Sequence, residues 1–337
     1  MNTTKNKSLR SYNTFHIEQS VETFIEINHE NELLKLIKDK NTFSKPIYIL
    51  GGGSNILLTK NLEGILLHNR LKGIEIINEE DEHVFVKFHS GEIWHECVLW
   101  SIKHHLAGIE NLSLIPGTIG AAPIQNIGAY GVELKDVFHQ LEAIHLQSGN
   151  RKIFNRIECQ FAYRNSLFKT TEYKNYFITH VVLKLNKTPK YKIDYGDIRK
   201  TIDEDFQGEI NIQNIAQAVI NIRKSKLPDP AEIGNAGSFF KNPVITEAHF
   251  LQLQNNYSSI PHYPADNGVK VPAAWLIEQC GWKGYRKNNF GVHPKQALVL
   301  VNYDNASGDE IWNLSQQIIE SVSQRFNIQL EREVNVW

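Results

Sequence analysis

The chain has 337 residues, 41% hydrophobic and 22% charged, with a formal net charge of −1. That length exceeds one ordinary core and predicts a globular protein of two or three domains. Lys and Arg are scattered among Asp and Glu rather than gathered in a basic stripe, which argues against DNA, RNA or an anionic membrane as a partner but leaves room for an anionic small ligand.

Cys97, Cys159 and Cys280 are far apart and form no C-x-x-C pair, so neither a redox dithiol nor a cysteine metal site is expected. Met1 to Arg10 is polar and has no apolar core, and the longest apolar runs, 271–277 and 297–301, are too short to span a bilayer. A cytoplasmic protein is expected.

In chain order, Thr23–Ile27 reads as a strand and Glu32–Lys38 as a helix with a stripe of Leu33, Leu34, Leu36 and Ile37. Ile47–Leu50 is a short strand running into Gly51-Gly52-Gly53-Ser54-Asn55, and this order implies an α/β unit. Val84–Phe88 alternates as a strand. Ile93, Trp94, Cys97, Val98 and Ile102 share one helical face, and Gly108 is placed to cap that helix. A loop rich in Pro and Gly follows from Pro116 to Gly131, and strands dominate from there to Leu185. Asn211–Lys226 reads as a helix stopped by Pro228 and Pro230, with a domain boundary there. Ala273–Cys280 reads as a helix ended by Gly281, and Ala297–Val301 as a buried strand. Ser307-Gly308-Asp309-Glu310 fits a capping box that opens a helix.

Five segments could carry chemistry. Gly51 to Asn55 lets backbone approach a ligand and bare N–H groups meet phosphate, but it is neither a Walker A loop nor a Rossmann fingerprint. The 116–131 loop is nearly uncharged, and its small residues would let a flat cofactor lie on backbone. Either a buried crossover or a cofactor seat satisfies that composition. Tyr163-Arg164-Asn165-Ser166 offers a guanidinium fork suited to a carboxylate. Asn235 to Pro243 displays Ser238 between small residues and the pair Phe239-Phe240, without the glycine pattern of a hydrolase elbow. Leu330 to Val334 places Glu333 at the start of a last strand. Each has a plain structural reading as well: a turn, an ion pair, a cap or a solvated charge run. His95-Glu96 lacks the second His of a zinc helix, and His104 and His105 face apart, so no metal site is expected.

Together and in this order, from Asn13-Thr14-Phe15 to Glu333, these segments resemble the UDP-N-acetylenolpyruvoylglucosamine reductase (UDP-N-acetylmuramate dehydrogenase) family. The resemblance implies a mixed α/β fold, an FAD-binding fold of the vanillyl-alcohol-oxidase (PCMH) type with a C-terminal substrate-binding α/β domain. The implied domains are residues 1–70 and 71–226 for FAD, the second joined by 328–337, and 227–327 for the UDP-sugar. It implies noncovalent FAD held by Gly51, Gly52, Gly53, Ser54, Asn55, Pro116, Gly117, Thr118, Gly120, Ala121, Gln125, Asn126, Gly128, Ala129, Tyr130 and Gly131. NADPH would be co-substrate, and a monomer is expected. Arg164, Ser238 and Glu333 match the catalytic positions. Tyr195 matches a substrate-clamping tyrosine, and Lys226, Asn242 and Gln296 match substrate-binding positions. Arg164 would stabilise charge spreading into the substrate carboxylate. Ser238 would protonate carbon, helped by Lys241 or Lys226. Glu333 would act protonated, or by anchoring a neighbouring donor or a water. An FAD-dependent sugar or alcohol oxidase of the same fold class is the rival reading. Asn335 stands where the family often has Arg, and the chain ends at Trp337, so a short final strand is expected.

Overall fold

Residues 2–39, 44–265 and 267–337 are described in the computed structural model. They form two compact units, one of residues 1–7, 21–52 and 63–225, the other of residues 8–20, 53–62 and 226–337. The helices are α1 (Glu30–Lys38), α2 (Trp94–Lys103), α3 (Ile198–Asp205), α4 (Ile212–Lys226), α5 (Glu247–Asn256), α6 (Ala273–Gln279) and α7 (Gly308–Phe326).

In the first unit, the apolar runs at Phe138–His145 and Tyr176–Asn186 pair antiparallel, Leu141 opposite Val181. They centre a five-stranded sheet in the order Arg151–Asn155, Phe138–His145, Tyr176–Asn186, His83–His89, Ile74–Glu79. Val86, Phe88, Leu141, Val181 and Leu183 of this sheet meet Trp94, Cys97 and Val98 of α2 in a buried core. A second sheet sets Ile47–Leu50 parallel to Leu62–Asn69, Ile47 opposite Ile65. Leu33 and Leu36 of α1 bury into it and Leu34 and Ile37 pack against the same cluster, so the whole apolar stripe of the helix is used. α3 and α4 pack on each other through Ile198, Ile202, Ile215 and Val219, with Tyr130 against that cluster.

In the second unit, Gly234–Ser238, Val299–Asn302, Phe290–Val292 and Arg286–Lys287 form a sheet. Residues 14 and 15 are stitched to it: Asn235 N–H donates to the Thr14 carbonyl and Asn302 Nδ2 to the Phe15 carbonyl. The 307–310 capping box is present, with Ser307 Oγ accepting from the Glu310 N–H and Glu310 reaching back. Asn335–Val336 pairs parallel with Ile56–Leu57. The Trp337 carbonyl accepts from the Thr59 N–H and hydroxyl, so the short last strand is closed at its end.

Two local expectations are corrected. Gly108 does not cap α2: the helix ends at Lys103 with His104 as cap, whose N–H bonds back into the last turn. Gly108, at φ +125°, serves the following turn, where its N–H meets the Glu110 carboxylate. The last strand begins at Asn335 rather than Glu333, because Glu333 spends its N–H on the Phe239 carbonyl.

A Cβ on Gly308, the first residue of α7, would lie 1.9 Å from the Leu58 carbonyl oxygen, a backbone atom that cannot swing away. Gly308→Ala should therefore lower the thermal midpoint by several degrees, overpacking of this kind costing ~1–3 kcal/mol. An unchanged midpoint in calorimetry would show that the Leu58 backbone yields freely.

Candidate active site

The first unit brings two glycine segments into backbone contact. A Cβ on Gly52 would sit 3.0 Å from Gly117 Cα, and one on Gly51 would sit 2.4 Å from Thr118 Oγ1. A Cβ on Gly120 would meet Ser90 Cβ at 2.6 Å. A side chain at any of the three would have to displace a neighbour. Gly52, Pro116 and Ala121 remain exposed, and the buried Thr118 Oγ1 has no hydrogen-bond partner among the described residues. A surface of backbone without side chains, next to an unsatisfied buried hydroxyl, is what a flat cofactor with a diphosphate needs. The residues present fit FAD.

The 116–131 loop is ordered rather than open. Ile119–Gln125 forms a 3-10 helix and Gly128–Ala129 pairs with Val132–Glu133. Asn126, at φ +44°, spends its whole amide on the protein: Nδ2 donates to Glu133 and to the Ala162 carbonyl, and Oδ1 accepts from the Lys135 N–H. It shapes the loop from within. Arg164 sits at φ +51° in the turn closed by Ala162 and Asn165. Its Nη2 donates to the Gly128 carbonyl, and Ser166 Oγ donates to the Ile124 carbonyl at 2.7 Å. The Arg164 turn and the loop are thus one assembly.

Two residues that sequence reading missed belong to it. Asn111, buried, donates to the carbonyls of Tyr130 (3.0 Å) and Lys192 (2.7 Å). It docks the chain leading to Tyr195, whose ring meets Tyr130 edge-on at 6.4 Å. Arg223 of α4 lies close enough to feel the charges of Tyr130 and Arg164, and its Nε has no partner among the described residues. Burial, then Arg164, pull its proton affinity down. A buried guanidinium with an unpartnered nitrogen favours an anionic neighbour. The available signal was helical spacing: Arg223 lies four residues after Val219, beside the buried face.

In the second unit, Ser238 is exposed at the end of its strand, between Gly237 at φ +69° and the buried Phe239 and Phe240. Those aromatics are the anchor that displays the hydroxyl. Residues 239–241 run antiparallel to 331–333: Glu333 N–H donates to the Phe239 carbonyl at 2.8 Å, and Lys241 N–H to the Glu331 carbonyl at 2.9 Å. The backbones carrying Ser238 and Glu333 are therefore neighbours. Arg332 is held between them in sequence but faces α7, over the Trp312 ring at 3.7 Å and bonded to Ser315 and Gln316. The Lys241 ammonium pairs with the Glu331 carboxylate. Asn335, in the place of the family's Arg, donates to the Asn55 carbonyl at 3.0 Å, while Asn55 Nδ2 donates to the Glu333 carbonyl. Asn242 Oδ1 accepts from the Ala273 N–H and Gln296 Oε1 from the Leu298 N–H, so both amides keep their NH2 ends as donors. Arg164 and Tyr195 belong to the first unit, and Ser238, Lys226, Asn242, Gln296 and Glu333 to the second. The segment Gly51–Asn55 is divided after Gly52.

Elsewhere, burial pushes the Cys159 thiol up to about 12 and the Cys97 thiol higher still, so neither is a nucleophile. Glu30, Glu142 and His180 bring ligand atoms within 4.8 Å of one another, but Arg151 bridges both carboxylates, at 2.7 and 2.6 Å, and fills that role with a guanidinium.

The chain matches two family models, "FAD binding domain" over residues 21–152 and "UDP-N-acetylenolpyruvoylglucosamine reductase, C-terminal domain" over residues 229–337. Among curated relatives, the UDP-N-acetylenolpyruvoylglucosamine reductase of Flavobacterium johnsoniae is 46% identical over 333 residues, covering 98% of each chain. That of Amoebophilus asiaticus is 46% identical over 337 residues, covering 100% of this chain and 99% of its own. Among solved structures, the same enzyme from Thermus caldophilus aligns with a TM-score of 0.67 at 22% identity, over 100% of this chain and 98% of its own. The 6-hydroxy-D-nicotine oxidase of Arthrobacter nicotinovorans aligns with a TM-score of 0.56 at 12% identity, over 97% of this chain and 86% of its own. These two share the fold.

The protein is an FAD-dependent oxidoreductase with the PCMH-type FAD-binding fold. It belongs to the UDP-N-acetylenolpyruvoylglucosamine reductase family.

If FAD satisfies the stranded Thr118 hydroxyl, Thr118→Val should leave the FAD-free protein as stable or more stable, since an unpartnered buried polar group costs ~1–3 kcal/mol. FAD affinity, read by quenching of flavin fluorescence, should fall about tenfold for one lost hydrogen bond. Unchanged affinity would remove Thr118 from the cofactor contacts.

Proposed function

We propose that the chain reduces UDP-N-acetylglucosamine enolpyruvate to UDP-N-acetylmuramate with NADPH as reductant, in cytoplasmic peptidoglycan precursor synthesis. The observation that carries this reading is the exposed Ser238, set on two buried phenylalanines and bonded through Phe239 to Glu333. Such a hydroxyl, fixed by its neighbours rather than by a cap, is placed to give a proton to a substrate.

FAD, seated on the Gly51–Gly52 and 116–131 backbone, supplies hydride transfer from NADPH to the terminal enolpyruvyl carbon. The chain's own groups do the rest. Arg164, its backbone strained and its guanidinium bonded to Gly128, meets the substrate carboxylate, with Arg223 adding a second cation nearby. Cations already fixed where negative charge develops lower a barrier without reorganising. Ser238 protonates the carbon next to the carboxylate. Lys226, or Lys241 with its Glu331 partner, supports the Ser238 oxygen. Glu333 holds the strand that faces Phe239 and contributes its carboxyl, or a water bound to it, beside Ser238. Tyr195, Lys226 and the NH2 ends of Asn242 and Gln296 bind the UDP-sugar, all of them donors suited to a diphosphate.

Ser238→Ala separates the roles. Removing one exposed hydroxyl should leave folding and FAD content intact. Loss of the flavin absorbance on mixing with NADPH should keep its normal rate, while its return on adding the enolpyruvyl substrate should slow by about 10²-fold or more, the usual worth of a positioned proton donor. Ser238→Cys should recover part of the loss. Stopped-flow absorbance reads both steps. Equal slowing of both would make Ser238 structural, and slowing of neither would place the proton source elsewhere.

A further inference from the structure

The 112–120 segment, which precedes and enters the cofactor loop, is tied to the start of α2 at five points. The Trp94 N–H donates to the Gly117 carbonyl and Trp94 Nε1 to the Leu112 carbonyl. The Ile119 and Gly120 N–H groups donate to the Glu92 and Ser90 carbonyls. The fifth tie is different in kind. The Leu114 N–H donates to His95 Nδ1 at 3.0 Å. It is the one bond of the five that runs through a titratable side chain.

Leu114 sits at φ +58°, a left-handed conformation that a leucine holds only when its surroundings impose it. Its flanks are fixed: Ser113 is fully buried, with its N–H and hydroxyl on the Glu110 carbonyl. The Leu114 backbone is therefore the strained link between a buried turn and the exposed Pro116. Nδ1 can accept its N–H only in the neutral ring with the proton on Nε2. A protonated ring would set two donors face to face.

Resting on the reading that the 116–131 loop seats FAD, we propose that His95 is a positioning residue for the flavin: in its neutral form it latches Leu114 and thereby fixes the Gly117–Gly120 backbone against the cofactor, and on protonation it releases the latch.

The groups around the ring support that direction. Glu96, its neighbour on α2, favours protonation, whereas Arg223 and Lys224 of α4 oppose it. The acid of the latched turn, Glu110, is itself engaged with the Gly108 N–H. Burial acts most strongly and holds the ring below its usual 6.5. The latched state thus binds fewer protons than the open state. Latching is complete above the ordinary histidine value and weakens as pH falls through it, by up to about tenfold per pH unit until the latched ring also titrates.

Two variants test this on the full holoenzyme. His95→Asn offers Oδ1 near the place of Nδ1 and does not titrate. His95→Leu offers no acceptor. Leu114 amide exchange, corrected for the intrinsic pH dependence, and the rate of flavin release after dilution are measured at about pH 7.5 and about pH 5.5. In the parent protein the amide should lose about tenfold protection on going to the lower pH, and flavin should leave about tenfold faster. His95→Asn should stay protected, with both quantities indifferent to pH. His95→Leu should be unprotected and quick to release flavin at both. An amide in the parent protein whose protection ignores pH, or a His95→Asn profile identical to the parent's, overturns the latch. If amide exchange responds as stated but flavin release is the same in all three proteins, the latch exists and the seating of FAD on this loop is what fails.

Discussion

Backbone packed on backbone is the constraint from which the cofactor region follows. A Cβ on Gly52 would press on the Gly117 backbone, and one on Gly120 on Ser90. Everything around these contacts keeps them in place. The start of α2 holds the 112–120 segment by main-chain bonds, Trp94 is buried to fix that start, and the five-stranded sheet fixes Trp94. Asn126 and Asn111, each using its amide inside the protein, set the far end of the loop and the approach to Tyr195. Backbone strain is visible in the positive φ angles of Leu114, Asn126, Tyr130 and Arg164, all within or bonded to this one region.

The second unit solves a separate problem by another device. Ser238 has no cap to make and no core to fill, so its position depends on Phe239 and Phe240 below it and on the antiparallel contact with 331–333. That contact depends in turn on the end of the chain. The parallel pairing of Asn335–Val336 with Ile56–Leu57, the Trp337–Thr59 bonds and the Arg332 clamp on α7 together hold Glu333 opposite Phe239. Asn335 contributes a hydrogen bond to Asn55 in the position where an arginine was expected.

The sequence made the elements legible where periodicity was strong: α1, α2, α4, α6 and α7 lie where the apolar stripes put them, and the Ser307 box caps α7 as written. It made the display of the Ser238 hydroxyl legible, since the aromatics that follow it are buried and leave it exposed. It hid what depends on long-range burial. Nothing local announces the loop-shaping bonds of Asn126, because its three partners come from residues 133, 135 and 162. Arg223 was masked by lying in a run of ordinary helical charges, and Gly108 by the habit of reading any glycine after a helix as its cap. Leu114 carries no mark at all of its left-handed backbone, since the partner of its N–H, His95, lies nineteen residues upstream on α2.

In the proposed function one bound flavin passes electrons from NADPH to an enolpyruvyl UDP-sugar. An anaerobic absorbance spectrum of the purified protein tests it most directly, taken before NADPH, after it, and after UDP-N-acetylglucosamine enolpyruvate. The account predicts a flavin spectrum that NADPH abolishes and the UDP-sugar restores. A spectrum that NADPH leaves unchanged, or one restored by oxygen but not by the UDP-sugar, would contradict it.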